Sequence, residues 1–342
     1  MKIKTLIISL TLACLASMHI TAAGQNEKPG TPQRIVIAGR ATIMLMDALY
    51  MFDGMDEKVV ARGETNQGLG DFFPVIDQNA SEKPNLGKNP GPEEILSHNP
   101  DLVILKNYMK KSLGQPLEDL GMNVVYLDLE TEGAIVNDIQ TLGGILNQEK
   151  RAQKIIEYFA DMKTYIESKA VSGPAPDCLF LYPKAGNGGY SFQIPSKGWI
   201  QEDQVTVAGG KALWTEYAAG SGWNDLSFEQ IAAWSTDAVF IADYRNNPDK
   251  AVKAIMEDPL WADVPAAKNG KVYAVPADFY SWGQADTRWI LGALWMASKL
   301  NPDQIPAKVV KEKTVDFFKT LYGLSDETIA SEIIPRLPED LR

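Results

Sequence analysis

The sequence predicts an α/β protein of two Rossmann-like lobes joined by one long helix. Short apolar runs alternate with segments of helical periodicity along most of the chain. The plan of "PEEILSHNPDLVIL" at 92–105 returns in "FEQIAAWSTDAVFI" at 228–241. Glu93 matches Glu229, Ile95 matches Ile231, Asp101 matches Asp237 and Val103 matches Val239, with no gap, which reads as an internal duplication. Between the two halves, residues 147–171 carry no Gly or Pro and keep helical spacing. A length of 342 residues suits two domains of ordinary size.

Each element follows from its own residues. "RIVIAG" (34–39) is a short apolar strand, and "ATIMLMDALYMFDG" is a helix stopped by Gly54. "KVVARG" (58–63) is a second strand. Residues 64–91 are rich in Gly, Pro and Asn but hold Phe72 and Phe73, so they form a loop with something to cover. Pro92 and Glu93 open a helix that Asn99-Pro100 closes, and "DLVIL" is a strand. "SLGQPLEDLG" is a short helix and "NVVYLD" a strand. This alternation predicts a mostly parallel sheet in an N-terminal lobe over 34–146.

The joining helix spans 147–171, with Asn147 as its N-cap and Ile155, Ile156, Phe159, Met162 and Ile166 along one face. It should reach about 35 Å at 1.5 Å per residue. A C-terminal lobe over 176–342 restarts with "CLFLYP", a Gly-rich loop and the second helix–strand copy. "KVYAVPA", the amphipathic "TRWILGALWMASKL" and terminal helices complete it.

The first 23 residues stand outside this plan. Lys2 and Lys4, an apolar run and small residues ending at Ala23 are the pattern of a secretory signal, so a periplasmic location is expected. The alternative is lipid anchoring at Cys14, but "TLAC" puts threonine where such a site wants leucine. Cys178 is then the single remaining cysteine and reads as a small apolar residue opening a buried strand.

Composition removes whole classes of function. A formal charge of −11 offers no basic stripe for nucleic acid. Of two histidines, His19 belongs to the export segment and His98 to a helix end, so zinc sites and Ser–His or Cys–His triads lack their parts. No catalytic residue and no cofactor of the protein itself is expected. The alternative from a different class is a periplasmic carboxylate-dependent hydrolase on the same fold.

Open α/β sheets bind ligands beyond the carboxyl ends of their strands, and two facing lobes enclose a cleft there. The expected contacts are Arg40, Thr42, Phe72, Phe73 and Tyr108 from the first lobe. Trp199, Trp223, Tyr244, Arg245, Tyr280, Trp282 and Arg288 join them from the second. All eight tryptophans lie between 199 and 295. Trp234, Trp261, Trp289 and Trp295 read as core, whereas Trp199, Trp223 and Trp282 lie in Gly-flanked loops where ligand contact and loop packing are both open. Aromatic faces with arginines suit a large, flat or anionic ligand.

With these residues in place, the chain resembles the periplasmic binding proteins of the iron-siderophore, haem and vitamin B12 class of ABC importers. "PEEILSHNPDLVIL", "DPLWADVPAAKNGKVYAVP" and the helix at 147–171 carry the resemblance, which runs from about residue 34 to 301. It implies a non-enzymatic, monomeric binding component that captures a ferric siderophore or similar metal chelate and hands it to a membrane permease. Haem or a corrinoid, and a molybdate or tungstate oxyanion, are the alternative ligands. The resemblance also implies that Glu93 and Glu229 dock the two lobes on the permease. Relatives that hold bare zinc or manganese use histidines, so a naked transition metal is not expected. Tyr108 or Tyr280 would serve haem, and Arg40 an oxyanion.

Overall fold

Four parallel strands, β1 (Ile35–Ile37), β2 (Val59–Arg62), β3 (Leu102–Lys106) and β4 (Val124–Leu127), form the first sheet in the order β2-β1-β3-β4. This computed structural model describes residues 30–64, 69–169, 173–186, 189–218 and 220–342. The predicted export segment and Cys14 lie outside them. Side chains alternate across the sheet as strand geometry requires. Val103 and Leu105 face Ile95 and Leu117 on one side, while Leu102 and Ile104 enter the main core on the other. Helix α1 (Thr42–Leu49) follows β1 and is buried along its whole length.

Helix α2 (Pro92–Leu96) leads into β3, and helices α3 (Glu132–Ile145) and α4 (Glu149–Glu167) carry the chain from β4 toward the second sheet. The joining helix α4 is shorter at both ends than the sequence suggested. Asn147 has a left-handed backbone, φ 55°, and Gln148 stands at the N-cap position, its amide bonded to the Asp53 backbone and not capping the helix. The sharp turn between α3 and α4 takes the position that a capping asparagine would need. One stripe of α4, namely Ala152, Ile155, Phe159, Met162 and Ile166, is buried.

The second sheet contains β5 (Asp177–Gly186), β6 (Gly189–Ile194), β7 (Lys211–Ala212), β8 (Asn224–Leu226), β9 (Ala238–Ile241) and β10 (Val272–Ala274). Its order is β10-β9-β5-β6-β8, with β7 also paired to β5. The β10, β9, β5 and β7 pairings are parallel, as expected, but β5-β6-β8 is antiparallel. The segment expected as a Gly-rich loop is therefore a hairpin. Its glycines lie at the tip, and Tyr190, Phe192 and Ile194 supply the alternation of a strand. Helices α5 (Ile200–Val207), α6 (Phe228–Ala233), α7 (Trp289–Leu300) and α8 (Ala307–Tyr322) belong to this half of the chain, with α7 packed on α5 and α8 packed on α7.

The matched sequence segments do the same work in both halves. Ile95 on α2 and Ile231 on α6 are fully buried. The Asp101 carboxylate accepts the backbone N–H groups of Gln33 and Arg34 at 2.7 and 2.9 Å, fixing the entrance to β1 beside β3. The Asp237 carboxylate accepts the N–H of Asp177 at 2.8 Å, fixing the entrance to β5 beside β9. One aspartate per lobe thus pins the start of the neighbouring parallel strand.

The halves are tied by more than α4. The Arg151 guanidinium on α4 donates to the carbonyls of Met51 (2.7 Å) and Leu321 (2.6 Å), and the Tyr322 hydroxyl of α8 donates to Asp47 O on α1 at 3.1 Å. Phe72 packs edge-on against Phe318 and Tyr322, 5.6 and 5.3 Å between ring centres. The terminal helix assigned to the C-terminal lobe therefore also covers the first one.

Candidate functional site

The carboxyl ends of the two sheets meet at a narrow junction. The loop after β4 touches the start of α5, where Ile200 N–H donates to Glu130 O at 2.9 Å and Glu132 N–H to the Asp203 carboxylate at 3.1 Å. Lys106, the last residue of β3, is fully buried, and its Nζ donates to Asp128 O and to Glu130 Oε1, the latter at 2.7 Å. Asp138 on α3 accepts the N–H groups of Asp128 and Leu129 at 2.7 and 2.8 Å. This network gives Glu130 one position between the lobes.

Around Glu130 stand the exposed side chains of the first lobe. Tyr108 is 55% exposed, and its phenol is raised by partial burial and then by Glu130, with Arg40 acting against them. Those three groups therefore share one neighbourhood. Arg40 is exposed, and its Nε donates to Asn89 Oδ1 at 3.1 Å. It lies in the turn from β1 to α1, where Ala41 is left-handed (φ 55°) and no side chain caps the helix.

The second lobe answers with an aromatic wall. Tyr182 and Tyr244 stack at 5.4 Å, Tyr182 and Trp223 lie 5.3 Å apart, and Trp199 meets Trp223 edge-on at 5.7 Å. Trp223 also lies 5.8 Å from Tyr244. Trp199 directly precedes Ile200, whose N–H donates to Glu130 O at 2.9 Å, so the wall adjoins the first-lobe loop there. Two glycines make the wall buildable. Gly198 (φ 79°) turns the chain so that Trp199 begins α5, and Gly222 (φ 105°) turns it before Trp223. The buried Ser196 hydroxyl donates to Gly222 O at 2.6 Å and holds that loop. Asp243 and Arg245 flank Tyr182, whose phenol is raised by burial and by Asp243.

Six of the expected contacts belong elsewhere. Phe72, Phe73, Tyr280, Trp282 and Arg288 are interior, and Thr42 is buried with its hydroxyl donating to Glu64 O at 3.1 Å. The reason is local. After β10 the chain does not stay on the surface but runs inward, and every residue from Asp278 to Ser298 is buried. The loop carrying Phe72 covers it, with Leu69 N–H donating to Phe279 O at 2.9 Å and Phe72 N–H to the Tyr280 hydroxyl at 3.1 Å.

Arg288 is the hub of this interior. Its guanidinium pairs with Asp47 on α1 and lies 2.9 Å from both oxygens of Asp278. The rings of Phe72 and Tyr280 lie 4.5 and 5.0 Å from it. Asp286 accepts the Arg288 backbone N–H at 2.7 Å. Two buried carboxyls thus pair with the guanidinium, and a third holds the backbone of the same residue. Burial raises Asp47 well above the usual carboxylate range and pushes Asp286 up to about 6, with Arg288 opposing both.

An acid whose folded pKa lies above its unfolded one costs stability as pH rises from the unfolded value, about 4, through the folded one. For Asp286 that window is roughly pH 4 to 6, and its stabilising contribution is fully present only below it. Asp286→Asn keeps an oxygen to accept the Arg288 N–H, gives up the second acceptor that the Gln284 amide uses, and cannot ionise. Urea unfolding at a series of pH values should show a flatter slope in that window for the variant, by on the order of 2–3 kcal/mol in total. Identical slopes would contradict the assignment.

Sequence reasoning placed Arg40, Tyr108, Trp199, Trp223, Tyr244 and Arg245 in this neighbourhood but missed Glu130. It sits in the stretch after "NVVYLD", so the rule that strand ends line the cleft would have reached it.

Two α/β lobes gather polar and aromatic side chains near their strand ends, where open α/β sheets take their ligands. The chain belongs to the periplasmic binding protein family, whose model matches residues 42–279. It is 23% identical over 354 residues to the molybdate-binding protein MolA of Haemophilus influenzae, covering 95% of this chain and 98% of that one. To an iron-uptake system-binding protein of Bacillus subtilis it is 24% identical over 311 residues, covering 82% and 94%. A solved periplasmic solute binding protein from Veillonella parvula superposes with a TM-score of 0.67 at 24% identity, covering 89% of this chain and 92% of that one. Among the described residues no helix is long and apolar enough to cross a membrane.

Proposed function

We propose that this chain is the exported, periplasmic substrate-binding component of an ABC importer and that it captures a small anionic metal chelate, a ferric complex first. The carrying observation is the Tyr182–Trp199–Trp223–Tyr244 wall adjoining the point where Ile200 N–H donates to Glu130 O of the first lobe, with Arg40 and Tyr108 exposed on that lobe. A guanidinium attracts and hydrogen-bonds carboxylate oxygens, while the indole and phenol faces take the ligand's apolar or ring surface. With Tyr280, Trp282 and Arg288 in the interior, the wall is smaller than the sequence suggested, which favours a compact chelate over haem or a corrinoid. The relatives named for iron uptake and for molybdate both support a metal-bearing ligand. Delivery to the permease would use Glu93 and Glu229, and the protein would act as a monomer.

A second reading, a tetrahedral oxyanion such as molybdate, has its own observation. The uncapped first turn of α1, entered through left-handed Ala41 beside Arg40, offers backbone N–H groups to an anion.

Titration of the metal-free protein, followed by tryptophan emission, separates the two. Trp199 and Trp223 are half-buried in the wall, so a ferric chelate should quench them. Ferric citrate should bind at least tenfold tighter than molybdate, and Arg40→Ala should weaken it about tenfold, the worth of one charge-assisted bond. Saturable binding of molybdate alone would place the oxyanion first, and catalytic turnover of any ligand would overturn the binding role.

A further inference from the structure

Behind the aromatic wall lies a side chain that touches both the wall and the interior loop. Gln201 is on the first turn of α5, two residues after Trp199, and is only 3% exposed. Its amide Nε2 donates to Gly283 O at 3.0 Å and lies 3.4 Å from the Tyr244 hydroxyl. That hydroxyl donates to the same Gly283 O at 3.1 Å. Gly283 sits in the buried loop whose two ends, Asp278 and Arg288, are joined to each other and, through Arg288, to Asp47 of the first lobe.

The geometry points to Gln201 as a positioning residue for ligand binding: we propose that it fixes Tyr244 in the wall by locking its hydroxyl onto the clamped loop. This rests on the reading of the wall as the ligand site. A tyrosine ring on the end of β9 rotates about its χ angles unless both its face and its hydroxyl are held. Tyr182 and Trp223 hold the face. The hydroxyl has one carbonyl acceptor, and the glutamine amide closes that contact into a three-way junction. A carbonyl with two donors also defines where the loop stands, because both lone pairs are used. Gly283 has no room for a side chain, since a Cβ there would lie 2.8 Å from Phe180 and 3.1 Å from Ala242. The loop therefore packs close against β5 and β9, and small shifts of it are passed to Tyr244.

A side chain that acts through one hydroxyl shows non-additivity with removal of that hydroxyl. The test is a double-mutant cycle of Gln201→Leu and Tyr244→Phe on the full exported chain, with ferric citrate and sodium molybdate as parallel probes and Trp223→Ala as a control of the site itself. Each single variant should weaken binding of the probe about tenfold, and the double variant should bind no more weakly than Tyr244→Phe alone. Gln201→Met, unbranched and of similar length, repeats the cycle should the leucine variant fold poorly. Melting temperature is read beside affinity. A drop in stability with unchanged affinity, or two losses that simply add, overturns the positioning role. Wild-type binding by Trp223→Ala would instead show that the wall is not the ligand site, and the positioning role would fall with it.

Discussion

Arg288→Ala should be among the most destabilising single substitutions in this protein, lowering the unfolding free energy by about 3–5 kcal/mol, the cost of breaking a buried ion pair from one side. Intact, the guanidinium offsets the desolvation of Asp47 and Asp278, both fully buried. Truncation leaves those two carboxyls and Asp286 facing one another in an apolar surround of Phe72, Tyr280 and Phe318. The acids would respond by taking up protons, so the loss should shrink toward pH 4 and grow toward pH 8. Replacing the guanidinium together with one of its acids, Arg288→Met with Asp47→Leu, should cost less than Arg288→Ala alone, because one fewer buried carboxyl is left without a cation and Asp278 keeps the Trp282 indole N–H. Chemical denaturation of the wild type and these two variants at two pH values measures all of this. A loss below 1 kcal/mol for Arg288→Ala would mean that the cluster contributes little.

The same residue shows where sequence reading succeeds and where it stops. Alternating apolar runs gave β1 to β5, β9 and β10, because a parallel strand buried on both faces needs such a run, but not the antiparallel β6 and β8 or the two-residue β7. The matched Asp101 and Asp237 were visible as letters, and their common bond to a neighbouring strand follows from their place just before β3 and β9. Arg288 was read as a cleft residue because it is charged and follows a strand. Its partner Asp47 lies 241 positions away, on a helix that is apolar apart from Thr42, and nothing local pairs them. Trp282 failed for a related reason: glycine beside tryptophan reads as a surface loop, whereas here Gly283 permits close packing and the Trp282 indole N–H donates to Asp278 at 3.0 Å. Glu130 became prominent only when Lys106 and the start of α5 were brought to it. Short-range grammar carries the elements. Long-range pairing of charge across the lobes leaves no periodic trace.

Simultaneous replacement of Glu93 and Glu229 by alanine should abolish most ligand uptake in cells while leaving the folded protein and its ligand affinity unchanged. Both side chains are exposed on the first turns of α2 and α6, the matched helices of the two lobes. Glu229 is held in its ionised form by its own backbone N–H and by Ser227, so it presents a fixed negative charge outward. The equivalent turn in the first lobe opens on Pro92 and carries Glu94 beside Glu93, giving that lobe a second carboxylate within reach. Two charges on one rigid body act as a bivalent contact, in which the second engagement is intramolecular and losing both removes register as well as attraction. Glu229→Ala should therefore impair uptake more than Glu93→Ala, because Glu94 partly substitutes in the first lobe. Glu93→Ala with Glu94→Ala should match the defect of Glu229→Ala. Raised ionic strength should deepen the defect of each single variant by screening the remaining pair. Uptake of radiolabelled iron in cells with matched protein levels reads each case. Wild-type transport by the Glu93→Ala, Glu229→Ala double variant would return both residues to the ordinary role of acids near a helix N-terminus.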